Sequence, residues 1–177
     1  MDTGDVLDIA EMPIEDDDTA VSVHDKLAML APHVLMNAID NIAEDMAVYI
    51  KQDESKATEA PKLKKTDGYI DFAQSAKEIN NRIRGLWSWP GAQADFISAK
   101  TQKCVRVTFA LAEVVRSDES SGRFGVLDEE LNIICGKDKL KILRLKPAGS
   151  ELMDFKAFVN GRALKPGDLF VSIEKND

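Results

Sequence analysis

At 177 residues, with 44% hydrophobic and 31% charged content, the chain fits one domain, or one small domain with an appendage. No apolar run approaches the roughly 20 residues of a membrane helix, and there is no basic-then-apolar leader. Cys104 and Cys135 make no CxxC or metal spacing, and His24 and His33 are the only histidines, which argues against a zinc site. Both cysteines read as reduced, buried strand residues of a cytoplasmic protein. The net charge of −8 is unevenly distributed: residues 1–50 hold 12 acids and one base, Lys26, whereas residues 51–177 hold 19 acids and 22 bases. A change of that size near residue 50 predicts a boundary between segments with different roles.

In chain order, Val6 to Met12 reads as a short strand ended by Pro13. The acidic run Glu15 to Asp18, followed by Thr19, reads as a helix N-terminus, where carboxylates offset the partial positive charge of unpaired amides. The helix places Ala20, Val23, Leu27 and Leu30 on one side. Pro32 predicts the start of a second helix, with Leu35, Ile39, Ile42 and Met46 on one face. A strand followed by two helices reads as the closing edge of an α/β layer whose sheet lies elsewhere. His24 and His33 fall in helical positions and read as structural or exposed.

Residues 51–66, KQDESKATEAPKLKKT, read as a polar linker ending in Lys62, Lys64 and Lys65. Ser75 and Glu78 fit a capping box, opening a helix with Ile79, Ile83 and Leu86 inward. Arg82, four residues after Glu78, is positioned for an intrahelical ion pair, while Arg84 is freer to meet a partner. Trp89-Pro90-Gly91 ends that helix. Beyond it the pattern is β: Val105, Val107, Phe109 and Leu111 alternate with polar or small residues, and GRFGVL and LNIIC are short strands. In KLKILRLK the apolar side switches near Ile142, which predicts a bulge or bend. Asp154 to Phe158 reads as one helical turn and Leu169 to Ile173 as a last strand. Short strands with frequent turns and one bend predict a small closed barrel. No Ser-His-Asp arrangement or phosphate-binding glycine loop is present.

Three stretches carry a resemblance. DTGDVL, with a following Pro-Ile and a Thr-led helix, is similar to the end of the catalytic domain of methionyl-tRNA formyltransferases. KLKKTDGYIDFAQSAKEINNRIRGLWSWPGA resembles the segment joining that domain to the family's C-terminal domain, and LKPAGSELMDFKAFVNGRALKPGDLF resembles the family's closing pattern. Phe72 stands where the family usually has Trp, and Trp87-Ser88 where Asn-Pro is commoner. The Trp-Pro-Gly-Ala piece alone also occurs in formyltransferases acting on sugar nucleotides.

The resemblance implies an α+β chain: a strand and two helices from the edge of a truncated α/β formyltransferase domain (residues 1–50), a linker (51–66), and a small OB-like barrel with one leading helix (67–177). It implies formyl transfer from 10-formyltetrahydrofolate to the methionine amino group of initiator tRNA, by a monomer without membrane attachment. The family's chemistry uses Asn and His donors for the oxyanion and an Asp that orients the His. Asp2 matches that Asp, and Thr3 and Gly4 match folate-side loop positions. The Asn, the His and most of the folate pocket would lie upstream. The expectation is therefore a chain that binds tRNA but binds folate poorly and has no activity alone. Lys62, Lys64 and Lys65, with Arg84, would meet RNA; as a composition they also fit a solvated tether. Lys137, Lys139 and Lys141 alternate on one strand face, at a spacing of about 7 Å that suits a phosphate track or a lysine-protected edge. The alternatives are the rear of a sugar-nucleotide formyltransferase and a non-catalytic RNA-binding module.

Overall fold

The computed structural model describes residues 3–118 and 122–174 and is mixed α+β, in two units, Met1–Lys62 and Leu63–Asp177. The division falls inside the polar segment 51–66.

In the first unit, Thr19 caps helix α1 (Ala20–Ala43): its side chain accepts from the Ser22 amide while Ser22 Oγ accepts from the Thr19 amide. Asp18 anchors this start. Both its oxygens lie 2.7 Å from Lys26 Nζ, and Ser22 Oγ and the Glu15 amide also donate to it, holding its pKa down to about 2. The acidic run is thus a helix start, as its composition predicts. Two expectations need correction. The helices expected on either side of Pro32 are one helix of 24 residues: proline removes one amide from the ladder, and helix-forming sequence on both sides carries the backbone through. The strand expected over residues 6–12 is one antiparallel bridge, Val6 to Ile50, with both N–O distances 2.9 Å. No residue of α1 is buried, and Leu27, Leu35, Ile39 and Ile42 are exposed.

The second unit is a nearly closed antiparallel barrel. Its strands are β1 (Ala92–Ile97), β2 (Cys104–Val115), β3 (Ile133–Ile134), β4 (Lys139–Pro147), β5 (Met153–Asp154) and β6 (Leu169–Val171), in the order β3-β4-β2-β1-β6, with β5 on β4. Val126 bridges Leu169 and Leu127 bridges Ile133, joining the two ends of the sheet. GRFGVL contributes these bridges rather than a full strand. Helix α2 (Ala76–Leu86) starts at the Ser75–Glu78 capping box and buries Ala76, Ile79 and Ile83. Helix α3 (Phe155–Arg162) is longer than the single turn expected and buries Phe155 and Phe158. The barrel is filled by rings in edge and tilted contact. Phe72 meets Phe109 and Phe170 at 6.4 and 6.5 Å, and Phe96 meets Phe158 and Phe170 at 5.4 and 5.2 Å. Phe72, in place of the usual Trp, is fully packed.

The predicted switch in β4 is present: Leu140 and Ile142 are buried, then Leu145 and Pro147. Its counterpart in β2 is a register shift around Leu111, which turns Leu111 outward and brings Ala112 into the core. Leu111 therefore does not continue the apolar face of Val107 and Phe109. Cys104, expected in the core, is exposed at the outset of β2; Cys135 is buried, and burial pushes its thiol up to about 12. Native protein treated with iodoacetamide near pH 8 should therefore take one label, at Cys104, and two once unfolded. Two labels on native protein by intact mass would contradict this packing.

Candidate nucleic-acid interface

The sequence-derived candidates fall into three groups. Asp2 lies outside the described residues. Thr3 and Gly4 are exposed, and the Gly4 carbonyl accepts from Gln52 Nε2 at 2.7 Å. Lys62, Lys64 and Lys65 are also exposed; the Lys64 amide donates to Asp67 Oδ2 at 2.6 Å, which starts a short 3-10 turn, Lys65–Gly68.

On α2, Arg82 does not pair with Glu78, because Glu78 is engaged by its capping box. Instead Arg82 Nη1 donates to the carbonyls of Asp67, at 3.0 Å, and Tyr69, at 3.5 Å, tying the 3-10 turn to the helix. Arg84 is half-buried and donates to Asn81 Oδ1 at 2.8 Å.

The strand lysines do not form a set of three equivalent groups. Lys137 precedes β4 and is exposed, with its carbonyl accepting from the Ala76 amide. Lys139 and Lys141 share the outer face of β4, but Lys139 Nζ lies 3.1 Å from Asp128 with only 15% of its side chain exposed, and Lys141 lies 3.4 Å from Glu113 on β2. The same holds for two arginines on the outer barrel face. Arg106 makes a two-pronged contact with Asp95 across β1 and β2, at 2.9 and 3.0 Å, which raises its pKa, and Arg144 lies 3.5 Å from Asp154. These four cations are largely neutralised, three by partners on neighbouring strands and Lys139 by Asp128 in the turn before β3.

Loop cations differ, and sequence reasoning missed them. Buried Asp168 accepts from the Ala99 amide at 2.7 Å and from the Lys165 amide at 2.9 Å. It thereby holds the turn between β1 and β2, with Lys100 and Lys103, against the loop between α3 and β6, with Lys165. The Arg162 guanidinium sits 5.1 Å from the centre of the Phe158 ring, and Phe158 packs on Phe96 of β1. The only advance signal was the Lys-Pro-Gly-Asp turn, which says nothing of its distant partner.

A family model for the formyl transferase C-terminal domain matches residues 62–163. Along nearly its whole length the chain is also similar to proteins named methionyl-tRNA formyltransferase. It is 34% identical over 170 residues to that of Citrifermentans bemidjiense, covering 96% of this chain and 52% of the relative. It is 35% identical over 171 residues to that of Caldanaerobacter subterraneus subsp. tengcongensis, covering 96% and 53%, and 34% over 172 residues to that of Geobacter sulfurreducens, covering 94% and 51%. The chain spans about half the length of these curated relatives. No helix among the described residues is long and apolar enough to cross a membrane. The domain model matches the capped helix and the barrel elements through α3, and with it the chain is a member of the formyltransferase family carrying that family's C-terminal domain.

Proposed function

We propose that this chain serves a methionyl-tRNA formyltransferase, which transfers formyl from 10-formyltetrahydrofolate to the methionine of initiator tRNA, and that its own part is to hold the tRNA. The observation that carries this reading is the similarity to enzymes of that name over 96% of the chain, across both units. The acidic first unit is unsuited to phosphate, and its exposed α1 face suits packing against the catalytic half that the longer relatives possess. The barrel unit has the opposite charge balance and presents bases on its loops and junction. Lys62, Lys64, Lys65, Arg84 and Lys137 contribute to RNA contact; Lys139 and Lys141 would first have to exchange carboxylate partners. Asp2, Thr3 and Gly4 would complete the folate site only beside an upstream Asn and His. The enzyme works in the cytoplasm as a monomer.

RNA held mainly through phosphates loses affinity steeply as salt rises, because each contact releases a condensed counterion. In anisotropy titrations of labelled initiator tRNA with the full chain, affinity should fall at least about 10-fold between 50 and 200 mM KCl, as for a handful of phosphate contacts. No binding at low salt, or binding indifferent to salt, would remove the tRNA reading.

A further inference from the structure

Among the bases of the barrel unit, four on strands are held by carboxylates, whereas Lys146 on β4 and several loop bases form no ion pair with any described residue. Arg106, Lys139, Lys141 and Arg144 each have a carboxylate within 3.5 Å. Lys100, Lys103 and Lys165 form no ion pair with any described residue, and all three are exposed. Resting on the tRNA reading, we propose that Lys100, Lys103, Arg162 and Lys165 form the barrel's principal contact with the RNA backbone, one phosphate-binding surface built from the β1–β2 turn and the α3–β6 loop.

Three features of this surface favour RNA. First, the two loops are held at a fixed separation, since both donate backbone amides to one carboxylate, Asp168. That carboxylate is buried and engaged by the amides, so it does little to offset the lysines. Second, the turn is rigid at its base: the Ser98 amide donates to the Lys103 carbonyl and the Gln102 amide to the Ser98 carbonyl, which leaves Lys100 and Lys103 projecting from a closed loop. Third, Arg162 is laid over Phe158, so its planar guanidinium is pre-positioned and its donors remain at the surface. The acidic turn at 128–130 joins this end of the barrel through Leu127, whose amide donates to the Asp168 carbonyl. Two of its three acids are engaged, Asp128 by Lys139 and Glu130 by the Asn132 amide group at 3.3 Å, which leaves Glu129 exposed. A ladder of phosphates, each carrying one negative charge and several acceptor oxygens, matches exposed ammonium groups on two tethered loops and the guanidinium at the end of α3.

The test compares K100A/K103A/K165A with the wild-type chain and with K77A/K146A, two exposed lysines outside the surface, by tRNA anisotropy across a KCl series. Arg162 is kept because it packs on a core ring. Each phosphate left without its lysine should flatten the log–log salt slope by about 0.7–0.9, so the triple variant should lose about 2 from the slope and at least about 10-fold in affinity at 50 mM. The control pair should lose less than half as much, and unchanged thermal melting should show that all variants are folded. A triple variant that binds like wild type, or like the control pair, overturns this surface and leaves the tRNA reading standing. Failure of the wild-type chain to bind tRNA would overturn both.

Discussion

Replacing Gly125 with alanine is expected to open the barrel and to destabilise the second unit strongly. Gly125 joins the two ends of the sheet: its amide donates to the Ile134 carbonyl and its carbonyl accepts from the Phe170 amide, both at 2.8 Å. Its φ is +84°, where a side chain is strained, and a Cβ there would run into the Phe170 carbonyl, a backbone atom that cannot move without breaking β6. The backbone conformation alone costs about 1–2 kcal/mol, and the collision adds about 1–3 kcal/mol. The sum, about 2–5 kcal/mol, corresponds to a fall of roughly 10–25 °C in Tm for a domain of this size. Gly149 separates the two contributions. It also has positive φ, +74°, but nothing lies within 4 Å of a Cβ built on it, so Gly149→Ala carries the backbone cost alone. Equal melting temperatures for the two variants would show that β3 and β6 do not meet through Gly125 as described.

Asp168→Ala is expected to lower stability by about 3 kcal/mol, since two amides donate to this charged, buried group and each such bond contributes about 1.5–3 kcal/mol. The amides of Ala99 and Lys165 should lose their protection from hydrogen exchange, while those of β2 and β4 keep theirs. The effect on RNA separates two accounts of the loop cations. If only charge mattered, removing an acid beside Lys100 and Lys165 would strengthen binding. If the two loops must be held together, binding should weaken several-fold even though no cation has been removed. Tighter binding by Asp168→Ala would show that the carboxylate acts as a counter-charge and not as a clamp.

Much of the architecture was legible because it depends on neighbours along the chain. Ser75 and Glu78 announce a helix start three residues apart, and the structure forms that capping box. The parity switch in β4 follows from Leu140, Ile142 and Leu145 themselves. The three quoted stretches anticipate the family. Where reading failed, the deciding partner was remote. Leu111 leaves the core because β2 shifts register against β4. Arg82 passes over Glu78 for carbonyls 13 and 15 residues away. Pro32 suggests a helix start, yet the helix continues through it, because a local breaker only biases a backbone that sequence on both sides favours.

The sequence by itself determined that a capped helix leads a run of short strands, that the apolar side of β4 switches along its length, and which family those elements belong to. These are short-range preferences of backbone and side chain, written within a few residues. Only the tertiary structure decided which cations are paired and which remain available. Lys139 meets Asp128, and Asp168 reaches Ala99 across 69 residues, only once the barrel has closed and set the register between strands that no local pattern specifies.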